Sequence, residues 1–309
     1  MADISVSLVK QLRERTGAGM MDCKKALAET QANFEDAVDW LRAKGLAAAA
    51  KKAGRTTTEG LVAVSITSDK KAGAVLEINS ETDFVARSEA FCAYVKEVSA
   101  LAHQSDGDIH KLKDTPYGNG RTIAEELTNL IAVIGENLSL RRVATLSVEN
   151  GYIASYTHAA QVPSMGKIGV LVGLTSDLSP EKLATLGKQI AMHVAANAPQ
   201  AVSIEALDPA TVEHERSILM EQTRSSGKPE DIVTKMVEGR LRKFYEDVVL
   251  LEQPFVMDNN RKVKQVIAEA EKGLGGSIVV SNFVRFALGE GIEKHATDFA
   301  AEVAAQLRT

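Results

Sequence analysis

The apolar residues of this 309-residue chain change period once, and that change limits what it can fold into. Up to about residue 54 they recur near helical spacing: Val6, Leu8, Val9 and Leu12, then Met20, Cys23, Ala26 and Leu27, then Phe34, Ala37, Val38 and Leu41. From Leu61 they run in short β-rich stretches instead. Leu61-Val-Ala-Val-Ser-Ile66 and Ala74-Val-Leu-Glu-Ile78, joined by the polar turn Thr67 to Gly73, predict a hairpin, and Phe91, Val95, Val98 and Leu101 predict the helix after it. The order then repeats. Gly151-Tyr-Ile-Ala-Ser-Tyr156 echoes Gly60-Leu-Val-Ala-Val-Ser65, Ile168-Gly-Val-Leu-Val172 echoes the second strand, and residues 180–196 supply the following helix. Helices first, then two related strand-and-helix halves, predict an α+β protein with a duplicated core.

Local chemistry sets the boundaries. Thr16-Gly17-Ala18-Gly19 separates the first two helices, Asn33 is the expected N-cap of the third with Glu35 and Asp36 in its first turn, and Gly45 suits the C′ position at its end. Residues 45–58 read as a partly helical linker. Further on, a helix at about 121–137 precedes a strand at Arg142–Leu146. Segments at about 210–225 and 229–246, joined by Ser225-Ser-Gly-Lys-Pro229, predict an antiparallel helical hairpin. A strand at Val279–Phe286 and a terminal helix at Ala296–Leu307, with Phe299, Val303 and Leu307 on one face, close the chain. The domains expected are therefore 1–54, 55–148, 149–290 with the hairpin inserted at 210–248, and a C-terminal module at 291–309.

Charge and composition exclude several functions. With 36 Lys+Arg against 41 Asp+Glu the net charge is −5, so no whole-molecule positive field draws the chain to nucleic acid or an anionic membrane. Cys23 and Cys92 form no CxxC pair, and Met1-Ala-Asp-Ile-Ser5 resembles no leader, which together point to a reducing cytoplasm. The glycine cluster Gly273-Leu-Gly-Gly276 lacks the lysine of a phosphate-binding loop. Six histidines, His103, His110, His158, His193, His214 and His295, show neither HExxH nor HxH spacing, and His193 reads as a partly buried helix residue. No cofactor, no metal and no covalent chemistry of the chain's own are expected.

Three segments stand out. Arg13-Glu-Arg-Thr-Gly-Ala-Gly-Met-Met-Asp-Cys-Lys-Lys-Ala-Leu27 places two adjacent methionines after a glycine-rich turn. Neighbours in sequence do not share a helix face, so one of Met20 and Met21 should be exposed and the other packed inward, as core filler or as an adaptable contact. Glu77-Ile-Asn-Ser-Glu-Thr-Asp-Phe-Val85 runs from a strand end into a polar turn. There Thr82 or Asp83 caps the next turn, and Phe84 is either a core staple or a protruding wedge beside a carboxylate. Ile134-Gly-Glu-Asn-Leu138 followed by Arg141-Arg142 reads as a helix end closed by Gly135, with the arginines on nearby carbonyls. The runner-up reading makes the first domain a binding module for a ubiquitin-like or nucleic-acid partner, with the core as scaffold.

Taken together, these runs resemble the signatures of the elongation factor Ts family. Leu12–Leu27 and Glu77–Ala86 are similar to its two main motifs, and the likeness extends through Ile134–Asn137, Ile190–Ala195, Gly227–Pro229, Met236–Arg240, Gln253–Met257 and Thr297–Val303. The resemblance implies a ubiquitin-associated-like three-helix domain, two α+β subdomains, a helical hairpin used for homodimerisation in some members, and a C-terminal module. It implies guanine-nucleotide exchange on the GTPase elongation factor Tu. Arg13, Met20 and Met21 would contact the partner's nucleotide-binding domain, and Asp83 and Phe84, flanked by Thr82 and Val85, would enter beside its magnesium site. Ile134, His158, Val256 and Met257 would lie in or near the rest of the interface.

Overall fold

A computed structural model describes residues 4–118, 120–224 and 229–293. The expected terminal helix at 296–307, the Thr297–Val303 motif and most of the 225–229 turn lie outside the described residues. The chain forms two compact units, Met1–Val62 with Leu76–Val143 and Ala287–Thr309, and Ala63–Val75 with Ala144–Phe286.

The first unit opens on α1 (Val6–Thr16), α2 (Met20–Glu29) and α3 (Phe34–Lys52), which close around Val9, Leu12, Cys23, Ala26, Leu27 and Ala37. Each helix is started or stopped by the residue its sequence offers. The Ser5 and Asn33 side chains accept backbone N–H groups of Leu8 and Asp36, and Gly17 ends α1 at φ 72°. Gly45 does not end α3 as expected. The helix runs on through Gly45, which is buried, to Lys52; a Cβ there would meet Ala132 on α7 (Ile123–Ile134) at 3.4 Å, an ordinary packing distance, and a single glycine is tolerated inside a helix.

After the linker, β1 (Glu59–Ile66) and β2 (Ala72–Ser80) form the expected hairpin, followed by α4 (Asp83–Ala86), α5 (Glu89–Leu101), α6 (Ile109–Asp114), the short strands β3 (Pro116–Tyr117) and β4 (Arg121–Thr122), α7 and β5 (Leu138–Ser147). α7 begins on a complete capping box between Thr122 and Glu125 and stops at Gly135, φ 89°. The hydroxyl of buried Tyr94 donates to the Ile123 carbonyl at 3.0 Å, fixing α5 to the start of α7.

The second unit is built on β6 (Gly151–His158), β7 (Met165–Gly166), β8 (Ile168–Thr175) and α8 (Pro180–Asn197). It continues through the hairpin of α9 (Pro209–Arg224) and α10 (Glu230–Val248), then β9 (Pro254–Phe255), β10 (Asp258–Lys262), α11 (Val263–Leu274) and β11 (Val279–Ala287). The strands order as β5-β2-β1-β7 and β11-β8-β6 in the two larger sheets. β6 and β8 are antiparallel, from Gly151 opposite Thr175 to His158 opposite Ile168. Val170, Val172 and Leu174 of β8 bury against Leu183, Ile190 and Val194 of α8. The hairpin carries its own apolar seam of Leu219, Val233, Val237 and Leu241.

The sequence echo between the halves is also a backbone echo. Gly60 and Gly151 open β1 and β6 at φ 127° and 138°, and a Cβ at either would stand 2.2 Å and 1.9 Å from the carbonyl oxygens of Ile78 and Leu174. Only glycine permits that approach at that φ.

Candidate functional site

The buried Thr16 hydroxyl donates to the Leu12 carbonyl at 2.7 Å and accepts the Ala18 N–H at 3.3 Å, so the Thr16–Gly19 turn is held from within. The methionines that follow it are both exposed, Met21 at 77% and Met20 at 42%, against the expectation that one packs inward. The inward face of α2 starts one turn later, at Cys23, Ala26 and Leu27; Met20, in the first turn, projects past the end of that small core. Arg13 is exposed on the last turn of α1.

Phe84 is 83% exposed, the most exposed large apolar side chain among the described residues, which decides against a core staple. It sits on α4, whose start is capped as expected: Thr82 Oγ1 accepts the Val85 N–H at 3.4 Å. Asp83 pairs with Arg87 at 2.9 Å across one turn; Arg87 is largely and Asp83 about half solvated, so the pair adds little stability. Val85 turns inward and is buried. Of Thr82 to Val85, only Phe84 stands clear of the surface.

The Ile134–Leu138 segment lies against this turn. The carboxylate of Glu136 accepts the Thr82 N–H at 3.0 Å and the Thr82 hydroxyl at 2.7 Å, while Glu81 accepts the Asn137 N–H. Ile134 is half-buried at the end of α7. The residue before it, Val133, is 46% exposed and lies 3.9 Å from where a Cβ on Gly17 would stand, so α7 ends between the methionine turn and the phenylalanine turn. A groove of about 690 Å³ runs between α3 and α7, with Ala18, Leu41, Gly45 and Ala132 in its walls.

The arginines that follow are not at a helix end. Arg141 and Arg142 lie on β5, where Arg141 Nη1 reaches both oxygens of Glu77 at 3.0 and 3.1 Å and Arg142 Nε reaches one at 2.6 Å. Glu77 is fully buried and also accepts the N–H groups of Asn79 at 2.9 Å and Gly289 at 2.8 Å. Burial alone would raise its pKa; the donors from Gly289, Asn79 and Arg142 outweigh it and hold the carboxyl below the usual range. The arginines do bind carbonyls, those of Ala287 and Glu290.

In the second unit His158 is exposed at the end of β6, with Nδ1 3.1 Å from the Tyr156 hydroxyl. Val256 and Met257 are 41% and 46% exposed at the β9–β10 turn. Beneath them buried His193 holds the turn through its Nδ1, which accepts the Val256 N–H at 3.1 Å. Sequence reading named Val256 and Met257 but missed that support, as it missed Glu136. Both are polar side chains whose partners are backbone groups far along the chain, and only their place inside the motifs marked them.

Among the described residues no three His, Cys, Asp or Glu side chains are placed to hold a metal ion, and no helix is long and apolar enough to cross a membrane. Cys23 and Cys92 are free thiols, both pushed up in pKa by burial and so weakly nucleophilic.

A family model described as Elongation factor TS matches residues 81–290. The chain is 58% identical over 305 residues to an elongation factor Ts of Rhodospirillum centenum, covering 98% of this chain and 99% of that one. It is 57% identical over 310 residues to that of Rhodospirillum rubrum, covering all of both, and 55% identical over 309 residues to that of Maricaulis maris, covering 99% and 98%. An α+β scaffold of this kind with these relatives is a translation elongation factor. The chain belongs to the elongation factor Ts family.

Proposed function

We propose that the chain is a guanine-nucleotide exchange factor: it binds the GTPase elongation factor Tu, disturbs the magnesium and GDP site of that partner, and itself makes and breaks no covalent bond. The observation that carries this reading is Phe84, a phenyl ring 83% exposed on a capped and braced turn. A large apolar side chain held clear of the surface at this cost in solvation is a wedge for a partner. Arg13, Met20 and Met21 supply a second contact on the first domain, and Ile134, His158, Val256 and Met257 extend the interface.

The physics is differential binding. A factor that bound the GDP complex and the empty GTPase equally would shift nothing, so its affinity must be greater for the nucleotide-free or magnesium-depleted state. Magnesium demands near-ideal octahedral geometry, and a ring entering beside its site is enough to spoil that. Linkage makes the effect reciprocal: nucleotide returning to the partner expels the factor. A cytoplasmic setting follows from the partner. The α9–α10 hairpin, closed on itself by a buried apolar seam, supports self-association or packs on the partner and is not needed for exchange.

The test is release of labelled GDP from purified elongation factor Tu with and without this protein. Acceleration that scales with factor concentration supports the reading; unchanged release at a large molar excess refutes it.

A further inference from the structure

Two acidic residues far apart in the chain, Glu81 and Glu136, grip each other's backbone. Glu136 accepts the N–H of Thr82, the residue after Glu81, at 3.0 Å, and Glu81 accepts the N–H of Asn137, the residue after Glu136. Three more bonds close the arrangement. The Thr82 hydroxyl donates to Glu136 at 2.7 Å, Asn137 Nδ2 donates to the Arg55 carbonyl at 2.8 Å, and Arg55 Nη1 stands 3.4 Å from Glu81. Each carboxylate thus acts as a backbone acceptor for the other segment, a charge-assisted bond stronger than a neutral one.

We infer that Glu136, with Glu81 as its counterpart, is the positioning residue of the Phe84 wedge, an inference that rests on the exchange reading above. α4 has four residues and no buried face of its own beyond Val85 and Ala86, so it has few intrinsic means of fixing its direction. The bonds that fix it enter at Thr82, its N-cap: Glu136 accepts two, from the Thr82 N–H and hydroxyl, and the Ser80 hydroxyl on the strand just before it donates a third to the Thr82 carbonyl at 2.8 Å. Phe84 itself touches little of its own chain. Its aim is therefore set two residues upstream, by a carboxylate on the far side of the turn. Because Gly135 ends α7 in the left-handed conformation just before Glu136, the helix that borders the methionine turn also delivers this carboxylate.

The experiment has a structural and a functional arm. In the free protein, hydrogen exchange at the Thr82 amide is followed by NMR in the wild type, Glu136→Gln and Glu136→Ala. Loss of protection in the alanine variant is expected, with the glutamine variant between, since its amide oxygen still accepts one bond. Unchanged protection in Glu136→Ala overturns the clasp whatever the activity. In the functional arm, GDP release from the GTPase is measured at saturating factor for Glu136→Ala, Phe84→Ala and the double variant. A misaimed wedge slows release about tenfold at saturation, well inside what an ångström of misplacement can cost. If Glu136 acts through Phe84, it adds nothing further in the Phe84→Ala background. An additional loss there means Glu136 touches the partner directly, and full wild-type release by Glu136→Ala means it positions nothing; either overturns the inference. Should wild-type protein fail to accelerate release, the exchange reading itself has failed, and the amide arm still decides the clasp. Should Glu136→Ala not fold, Glu81→Ala is read in the same way at the Asn137 amide, where retained protection is the overturning result.

Discussion

Val256 donates its backbone N–H to Nδ1 of His193 at 3.1 Å, which fixes the tautomer of a fully buried imidazole. Nδ1 being the acceptor, Nε2 carries the proton and donates to Gln253 Oε1 at 2.8 Å, and Gln253 in turn donates to the Asp247 carbonyl at 2.8 Å. The ring stacks on Phe255, centroids 5.8 Å apart. An exposed tip that displays Val256 and Met257 is thereby carried on a buried neutral histidine.

Burial lowers the pKa of His193, and the Gln253 bond offsets that only in part. The unfolded chain takes up the proton near pH 6.5, about the ordinary value, while the folded ring stays neutral to lower pH. Between those two pKa values the unfolded state binds more protons. The contribution to stability is therefore complete above about pH 6.5 and declines as the pH falls toward the folded value. The His193 Hε1 resonance should titrate below about pH 6.5, and His193→Phe should cost roughly 2–4 kcal/mol by stranding the Val256 N–H and the Gln253 side chain. A titration midpoint at or above that of the urea-unfolded chain would contradict this account.

The first domain and the core should separate in their kinetics. Met20 and Met21 are exposed on a turn braced by Thr16, and Arg13 stands one turn before it on α1. Alanine at any of the three should weaken association with the GTPase by roughly 1–2 kcal/mol, between neutral contacts and true hot spots. GDP release should recover when the factor is raised to saturation. Calorimetric binding together with release rates checks both halves; a variant that binds normally yet stays slow at saturation would assign these residues to the exchange step instead.

How much of this was legible in sequence depends on the distance over which each feature is determined. Caps at Asn33, Thr82 and Gly135 are decided within four residues, and the strands of both halves by alternation and β-branching, so these were readable. Gly45 was misread because a glycine inside a helix looks the same in sequence as a glycine in a cap, and the helix it packs against, at Ala132, is far along the chain. The methionine pair was misread because helical periodicity says which face is inward but not where the core beneath it ends. Short strands β9 and β10 have too few residues for any period to show, and their place is set by His193 on α8. For Phe84 the residues left two readings open, and only its exposure in the fold separates them.

Glu77 offers a stability prediction of the opposite chemical kind. Its carboxylate is buried, ionised and surrounded by donors from β2, β5 and the Ala287–Glu290 segment. Glu77→Gln keeps the shape and removes the charge, leaving Arg141 and Arg142, each about a quarter exposed, without their shared anion. A loss of about 3 kcal/mol is expected, at the low end for breaking a buried pair because the arginines can still reach water. With the folded pKa below the ordinary value, the contribution is complete above about pH 4.3 and is lost as the pH falls through the folded value. Acid unfolding followed by circular dichroism should begin at higher pH in wild type than the charge-neutral background alone would give, and Glu77→Gln should flatten that difference; identical acid transitions would remove Glu77 as the cause.

Phe84 sets stability against function most sharply. A buried phenylalanine replaced by alanine costs about 3–5 kcal/mol through lost burial and the cavity left behind. At 83% exposure Phe84 leaves no cavity, so Phe84→Ala should change stability by no more than about 0.5 kcal/mol, as for an ordinary surface site. GDP release from the GTPase should fall by about thirtyfold, the equivalent of a hot spot of about 2 kcal/mol, and should not recover at saturating factor, because the lost group acts on the bound complex. Asp83→Ala should give a smaller defect, since that carboxylate is half solvated and already paired with Arg87. Thermal unfolding and single-turnover GDP release on the same preparations check these together. A melting temperature that drops steeply while release by the folded fraction is unimpaired would make Phe84 structural after all and leave the exchange reading without its wedge.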